Sequence, residues 1–262
     1  MMQIGKDILS VYNVSNKLGT KFIGKRIVIY PQLESTMEIA KIAASKGVPE
    51  GTVIVAEEQT SGKGRLDRIW ISPKGCISLS IILYPDIKHL PSLVMVASVA
   101  IIRTIKKITG IKATIKWPND ILINSKKVGG ILIEGTIQHI NVGYAVIGVG
   151  LNVDFNIKDY PEIEDIATTL SDEKGKYISR IDIIRTFLVE FEKLYLLADD
   201  TSIVYREWRE NMDTIGKKIS AKSGNDVYEG IVENVAEDGS LIIKTPDGET
   251  INFTAGDVTL IE

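Results

Sequence analysis

Residues 116–134 read KWPNDILINSKKVGGILIE. The segments 120–124 and 127–137 are rich in β-branched and apolar side chains, which favours two strands. Asn124-Ser125-Lys126, which lies between them, has the composition of a tight turn. Because Pro118 has no backbone N–H to donate to a sheet ladder, the chain should bend there, at the rim of the sheet. The stretch therefore predicts a β-hairpin that is entered through a polar turn.

Regular elements are predicted on both sides of this hairpin. Apolar residues around most of the circumference of 91–108 indicate a buried helix, and apolar residues on one side of 179–197 indicate an amphipathic one. Two further helices are predicted at 36–46 and 201–212. The remaining predicted strands of this part are 27–30, 52–57, 76–84, 112–117 and 140–150. Together these elements indicate an α/β (α+β) domain.

The pattern of predicted elements changes at about residue 213, from helices and strands to short strands alone. Short predicted strands (217–222, 227–235, 240–244, 249–254 and 258–261) alternate with turn signals at Asn225-Asp226, Asp238-Gly239 and Asp247-Gly248. This pattern predicts a small β-barrel. The expected organisation is a short leader at 1–25, a catalytic domain at 26–213 and a C-terminal barrel at 214–262. The leader is too short for a helix-turn-helix unit, so we expect no nucleic-acid partner.

The composition argues against several classes of protein. The 262 residues include 31 Lys+Arg and 34 Asp+Glu, so the formal net charge of −3 argues against a general polyanion binder. A single cysteine, Cys76, excludes a disulfide framework and fits a reducing compartment. With only two histidines and no Cys/His cluster, a zinc site is not expected. The N-terminus lacks the apolar core of a signal peptide, and no apolar run is long enough to span a membrane, so a cytoplasmic protein without a membrane partner is predicted.

The stretch from Gln59 to Trp70, QTSGKGRLDRIW, combines glycines with basic residues directly after a predicted strand. Glycines let backbone N–H groups approach an anion, and three basic side chains supply the compensating charge. The alternative is a solvated basic hairpin. The stretch does not match the P-loop pattern, in which Gly-Lys-Ser/Thr opens a helix.

Other polar and glycine-rich positions have two interpretations each. Asn119 and Asp120 provide ligands suited to Mg²⁺ or a ribose, or they form an ordinary polar turn. Lys127, followed by two glycines, leaves room for a ligand against the backbone, or it is a surface lysine. Residues 147–152 (IGVGLN) fit either a close ligand approach or a bulge. Residues 35–38 (STME) fit a helix capping box, whose helix N-terminus is also able to hold a polar ligand head.

The order and spacing of these motifs resemble the biotin–protein ligase family, in its monofunctional form without a DNA-binding domain. The resemblance runs from about residue 26 to residue 262 and is carried most specifically by the KWPND and KVGGIL segments at their present separation. It implies a mixed sheet flanked by helices, like that of class II tRNA synthetases, and a small C-terminal SH3-like barrel. The implied reaction uses ATP to form biotinyl-5′-AMP and then transfers biotin to a lysine of a biotin carboxyl carrier domain. Mg²⁺ and a homodimer are also implied.

The resemblance also assigns roles to residues of this sequence. The implied catalytic residues are Lys127, Arg65 and Asp120. The implied biotin-binding residues are Ser35, Thr36, Met37, Gln59, Gly62, Lys63, Gly64, Arg65, Lys127, Gly130 and Gly148. The implied ATP-binding residues are Arg65, Arg68, Trp70, Asn119, Asp120, Lys127 and Asn152. The resemblance does not assign the ligands of the metal ion. Because two anions must meet in the first step, positive charge aimed at the phosphate should dominate catalysis, with Lys127 as the main source.

Three positions depart from the family pattern. Met37 stands where asparagine is common, Lys63 where arginine is common, and Asp67 where glycine is common. We expect Asp67 to pair locally with Arg68, which would mask part of its charge. The rival functions are a lipoate–protein ligase or octanoyltransferase, which shares the fold, and a biotin-responsive repressor. The basic loop and the C-terminal barrel favour the biotin ligase.

Overall fold

The computed structural model of the protein describes residues 7–138, 141–197, 200–223, 226–254 and 256–261. Up to residue 213 the strands are β1 Ile27–Tyr30, β2 Val53–Ala56, β3 Cys76–Leu83, β4 Thr114–Lys116, β5 Asp120–Ile123, β6 Lys126–Gln138 and β7 Asn141–Asn152. The helices are α1 Val11–Ser15, α2 Thr36–Ser45, α3 Ser92–Thr109, α4 Leu170–Lys174, α5 Arg180–Tyr195 and α6 Ser202–Glu210. The short helices α1 and α4 were not predicted from the sequence.

Seven strands form one mixed sheet in the order β1-β2-β3-β7-β6-β5-β4. The pair β1 and β2 is parallel, and every other neighbouring pair is antiparallel. The predicted hairpin of β5 and β6 is confirmed, and its turn residues Asn124 and Ser125 both have positive φ angles, of 50° and 64°. Such angles match the twist of the flanking strands. The segment 117–119 forms the predicted turn between the edge strand β4 and β5.

Helices cover both faces of the sheet, which confirms the predicted α/β class. Helices α3 and α5 pack against each other on one face, where the largest apolar cluster of the molecule lies. Helix α2 covers the opposite face with a small cluster that includes Met37, Ala40 and Val146. On this face a cavity lies at the start of α2, where Ser35, Thr36 and Met37 line it.

From residue 7 on, the predicted leader packs into the main apolar core of the N-terminal domain. Leu9, Val14, Leu18 and Ile23 are buried in the main apolar cluster. The carboxylate of Glu192 accepts hydrogen bonds from the backbone N–H groups of residues 21–23, at distances of 2.5, 2.8 and 2.9 Å. The domain boundary at residue 25 stays a prediction, and the described part of the leader, from residue 7, contributes to the core.

The C-terminal region is a five-stranded antiparallel sheet, which confirms the predicted small β domain. Its strands are β8 Lys218–Ser223, β9 Asp226–Val235, β10 Leu241–Lys244, β11 Thr250–Phe253 and β12 Asp257–Leu260, arranged in the order β11-β10-β9-β8-β12. The predicted turn at Asn225-Asp226 lies partly outside the described residues, and His139 lies wholly outside them.

Trp117 joins the two domains. Its side chain is 3% exposed, its Nε1–H donates to the carbonyl of Gly239 at 2.8 Å, and its ring packs on Phe253 with centroids 5.6 Å apart. Its backbone N–H donates to Thr214 Oγ1 at 3.0 Å. The C-terminal sheet is therefore held directly against the turn that carries Asn119 and Asp120.

Among the described residues, no helix has the length and apolar character that a bilayer crossing requires.

Candidate functional site

A trough without side chains crosses the middle of the sheet on the α2 face. Gly130 on β6 pairs with Gly150 on β7, and Leu132 pairs with Gly148, so the three glycines lie on the same face. A Cβ added to Gly148 would lie 2.6 Å from Met37 Sδ, and one added to Gly150 would overlap the indole of Trp70. The missing side chains therefore make room for Met37 against Gly148 and for Trp70 against Gly150.

A β-bulge turns Lys127 toward this trough. Gly129 pairs with Ile121 and Lys127 pairs with Leu122, so Val128 is an extra residue in β6. Strand residues an odd number of positions apart normally point to opposite faces, and a bulge reverses that alternation. As a result the Lys127 side chain lies over Gly130, with its Nζ 2.6 Å from Asp120 Oδ1 and 5.5 Å from the Trp70 ring centroid.

The start of α2 presents a hydroxyl group without a partner. Ser35 is the N-cap residue, but its side chain makes no capping hydrogen bond, and its buried Oγ has no partner among the described residues. Gln59 Oε1 accepts from the backbone N–H and the hydroxyl of Thr36, at 2.8 and 3.1 Å. The predicted capping box is therefore wrong, because Glu38 turns away to bind Lys63 and Lys41. A buried polar atom left unpaired is costly, so Ser35 Oγ is suited to a ligand.

The loop 62–70 folds back on itself beside the trough. The N–H of Trp70 donates to the Gly62 carbonyl at 2.9 Å, and the N–H of Gly64 donates to the Arg68 carbonyl at 2.8 Å. Between them, Leu66 and Asp67 both have left-handed backbones, with φ angles of 52° and 57°. Residues other than glycine occupy this region at a cost in free energy. Asp67, one of the three departures from the family pattern, is thus strained in the loop.

Each of the three basic side chains of the loop has a partner within the protein. Lys63 binds Glu38, and this contact, followed by that of Lys41, lowers the pKa of the Glu38 carboxyl. Arg68 binds Asp257 in β12, so the expected local pair between Asp67 and Arg68 is wrong.

Arg65 is the third of these basic residues. It donates to the carbonyl of Gly256 at 2.9 Å and lies 3.4 Å from Asn119 Oδ1. Burial lowers the pKa of the Arg65 guanidinium, while Asp257 and Asp120 oppose that shift. Two of the three basic side chains therefore reach across to the C-terminal sheet.

Two adjoining cavities occupy this region, and Gly64, Trp70, Asn119 and Lys127 line both of them. The smaller cavity, of about 450 Å³, lies over the glycine trough. The residues predicted to bind biotin that line it are Ser35, Thr36, Met37, Gln59, Lys63, Gly64, Lys127, Gly130 and Gly148. The larger cavity, of about 1080 Å³, is lined by all seven residues predicted to bind ATP: Arg65, Arg68, Trp70, Asn119, Asp120, Lys127 and Asn152.

Two residues predicted to bind biotin lie elsewhere. Arg65 lines the larger cavity. Gly62 is buried under the loop, where an added Cβ would collide with the carbonyl of Trp70, so its glycine is required by the turn of the loop itself. Asn152 reaches the larger cavity, but it is 2% exposed, and its Nδ2 donates to the Thr168 carbonyl at 3.1 Å.

Several lining residues were missed from the sequence. In the smaller cavity these are Leu79, Ile131, Leu132, Val149 and Gly150. In the larger cavity they are Ile69, Ile71, Lys116, Trp117, Pro118, Ile163, Ile166, Ala167, Asp257 and Val258. Strand alternation would have identified Leu132 and Gly150, which share a face with Gly130 and Gly148. No sequence signal marks Asp257 or Val258, because they enter the site from the separate C-terminal sheet.

Comparison with known proteins agrees with this geometry. Residues 29–152 match the model of the biotin/lipoate A/B protein ligase family, and residues 214–260 match that of the biotin protein ligase C-terminal domain. A bifunctional ligase/repressor from Bacillus subtilis (strain 168) is 36% identical over 246 residues, which span 92% of this chain and 76% of the relative. The chain belongs to the biotin/lipoate A/B protein ligase family.

Other members of the family extend the comparison. A biotin–[acetyl-CoA-carboxylase] ligase from Paracoccus denitrificans is 28% identical and covers 78% of this chain and 89% of the relative. The structure of a biotin protein ligase from Aquifex aeolicus in complex with biotin and ATP has a TM-score of 0.77 and 27% identity, and the match covers 90% of this chain and 99% of that one. The predicted family, ligase class and fold are thus confirmed.

Proposed function

We propose that this chain is an ATP-dependent biotin–protein ligase, which forms biotinyl-5′-AMP and transfers biotin to a lysine of a biotin carboxyl carrier domain. The observation that carries the proposal is the pair of adjoining cavities with Lys127 in their shared wall. A reaction between a carboxylate and a nucleotide phosphate requires two sites that meet at a positive charge. The Aquifex aeolicus relative holds biotin and ATP together.

The smaller cavity suits the biotin ring system. Biotin carries a ureido group on a compact apolar bicycle, and the cavity combines apolar walls with the unpartnered hydroxyl of Ser35. Thr36 and Gln59 are tied to each other, which holds the polar end of the cavity in one geometry. The Met37 thioether packs over Gly148 and supplies a polarisable wall.

In the first step a carboxylate oxygen of biotin attacks the α-phosphate of ATP, and the bond to pyrophosphate breaks. The attacking group and the phosphate are both anionic, so fixed positive charge lowers the barrier. Lys127 Nζ lies between the two cavities, and Arg65 faces the larger one. Mg²⁺ would enter with the phosphates and neutralise part of their charge, with Asp120 as a carboxylate ligand available in the lining.

In the second step the acceptor lysine attacks the biotinyl carbonyl, and AMP leaves. A free lysine amine has a pKa of about 10.4, so the attacking amine must lose a proton. Asp120 is the carboxylate at the junction of the cavities, and its Oδ1 binds Lys127 Nζ at 2.6 Å. We assign to Asp120 the roles of orienting the amine and accepting its proton.

Biotin is favoured over lipoate by the C-terminal domain of the chain. The matched family includes lipoate ligases, but residues 214–260 match the C-terminal domain of biotin protein ligases specifically. A homodimer, a cytoplasmic location and a lack of nucleic-acid binding stay predictions. Light scattering on the purified chain and a gel shift with genomic DNA test the first and the last of these.

The proposed function is tested by ATP–pyrophosphate exchange with labelled pyrophosphate. We expect exchange that depends on biotin and that lipoate does not support. Labelled biotin should then pass to a carrier domain only when ATP is present. Exchange with lipoate but not with biotin would overturn the assignment in favour of a lipoate ligase.

The Ser35 hydroxyl is predicted to bind biotin. In Ser35→Ala the dissociation constant for biotin should rise about 5- to 10-fold, as expected when a hydrogen bond to a buried ligand group is lost. The melting temperature should not fall, because Oγ has no partner in the ligand-free protein as described. Ser45→Ala, an exposed position on the same helix, is the control and should change neither quantity. An unchanged biotin affinity in Ser35→Ala would remove Ser35 from the site.

Retention of the adenylate should depend on the two departures in the loop. The planar guanidinium of an arginine at position 63 would bind Glu38 and a nearby anion through two hydrogen bonds each. Glycine at position 67 would relieve the strain of the positive φ angle of 57°. The double variant Lys63→Arg with Asp67→Gly should release labelled biotinyl-adenylate about 3- to 10-fold more slowly, roughly 0.7–1.4 kcal/mol. The release rate is measured without acceptor at two salt concentrations. Equal or faster release would show that these positions do not limit retention.

A further inference from the structure

We infer that Asp257 of the C-terminal sheet is an internal anion of the nucleotide site, which holds Arg68 in the absence of ATP and lowers the affinity of the site for the triphosphate. The inference rests on the proposed function, because it takes the larger cavity as the ATP site. It concerns a residue that has no counterpart in the motifs recognised in the sequence.

The contact geometry places Asp257 inside this site. Asp257 and Val258 line the larger cavity together with Arg65 and Arg68. The Asp257 carboxylate binds the Arg68 guanidinium, and the carbonyl of the preceding residue, Gly256, accepts from Arg65 Nη2 at 2.9 Å. Arg68 is thus held by Asp257, the first residue of β12, and Arg65 is held by Gly256, the residue before it.

A side chain at Gly256 would displace the backbone that holds Arg65 and Arg68. Its φ angle is 139°, and an added Cβ would collide with the Lys222 carbonyl and lie 2.6 Å from the ring of Phe253. Phe253 in turn packs on Trp117, which fixes the C-terminal sheet against the 116–120 segment. The position of Asp257 is therefore set by the interface between the two domains.

Charge decides the direction of the effect. ATP is a polyanion, and the two arginines are the cations that face the larger cavity from the loop. A fixed carboxylate in the same cavity repels the triphosphate and competes with it for Arg68, whose side chain is 66% exposed and free to move between the two anions. Removing the carboxylate should strengthen ATP binding, and salt should reduce the difference.

Calorimetric titration with ATP, without biotin, tests the inference on the full chain. We expect Asp257→Asn to lower the ATP dissociation constant about 3- to 10-fold at low salt, with a smaller change at high salt. Asp257→Glu keeps the charge, so it should not show the gain in ATP affinity expected for Asp257→Asn. Asp247→Asn removes one exposed carboxylate from a turn of the same sheet and should also leave the dissociation constant unchanged.

A mutant cycle separates this role from a structural one. In an Arg68→Gln background, the gain from Asp257→Asn should shrink, because the competition for Arg68 no longer exists. If Asp257→Asn melts at a lower temperature than the wild type, the ATP titration is repeated with Asp257→Ser. This variant also lacks the carboxylate and should show the same gain in ATP affinity.

Two outcomes would overturn the inference: unchanged or weaker ATP binding in Asp257→Asn, or an equal gain in Asp247→Asn. The wild-type exchange assay keeps the two proposals apart. ATP binding without biotin-dependent exchange would contradict the proposed ligase while leaving the role of Asp257 open to the same titrations.

Discussion

Lys127→Ala should lose biotin-dependent ATP–pyrophosphate exchange by a factor on the order of 100 or more while the protein stays folded. The lysine lies in the wall shared by both cavities, so it is the cation placed to meet the biotin carboxylate and the α-phosphate together. Its side chain is one-third exposed and packs over Gly130, where removing it leaves the strand pairing intact. The exchange rate and the melting temperature are the measurements.

The neighbouring lysine provides a matched control. Lys126 starts the same strand, is exposed, and lines neither cavity within the described residues, so Lys126→Ala should exchange pyrophosphate at the wild-type rate. A small loss in Lys127→Ala, or an equal loss in both variants, would rule out the assigned role. Lys127→Arg should recover little activity, because a planar guanidinium does not reproduce the compact ammonium beside Asp120.

Deleting residues 215–262 should abolish ligation, with a loss of about 100-fold or more in exchange, while biotin still binds. None of the described residues of the C-terminal sheet lines the smaller cavity, whereas Asp257 and Val258 line the larger one. The deletion also removes the partners of Arg65, Arg68 and Trp117, so the cations of the loop lose their placement. Biotin binding by calorimetry and exchange are measured on the same sample.

A point variant in the full-length chain should cause a smaller loss of exchange than the deletion. Phe253→Ala removes the ring that packs on Trp117, and it should weaken exchange in the same direction by a smaller factor. Circular dichroism of the truncated chain monitors folding of the remaining domain. If the truncated chain is folded and biotinylates a carrier domain at the normal rate, the C-terminal sheet has no part in the reaction.

Local sequence determined the elements of the fold and the composition of the site. The β-branched and apolar side chains of residues 120–124 and 127–137, together with the turn residues between them, were enough to predict the hairpin of β5 and β6. In residues 91–108, apolar side chains lie around most of a helix's circumference, and this pattern predicted the buried helix α3, observed at Ser92–Thr109. These predictions succeed because the signals are local: side-chain periodicity and turn chemistry depend on neighbours within a few residues.

Tertiary structure decided what the polar residues do. The bulge at Val128 places Lys127 on the same face as Gly130, and the strand pairing that creates it has no signature in the sequence. The capping box predicted at Ser35 failed because the Glu38 carboxylate binds Lys41, three residues further along the same helix, and Lys63, which only folding brings close. A charged partner from elsewhere in the chain competes with the local bond, and this competition cannot be read from four consecutive residues.

The same limit explains why the C-terminal contribution was missed. Turn signals predicted the five short strands after residue 213 and therefore the domain, but Asp257 meets Arg68 across 189 positions of sequence. Motif reading collects residues that are close in sequence, whereas a cavity between two domains collects residues that are close in space. The sequence by itself thus determined the family and the two-part architecture, and only the packing of the C-terminal sheet against Trp117 brought Asp257 and Gly256 to the arginines of the loop.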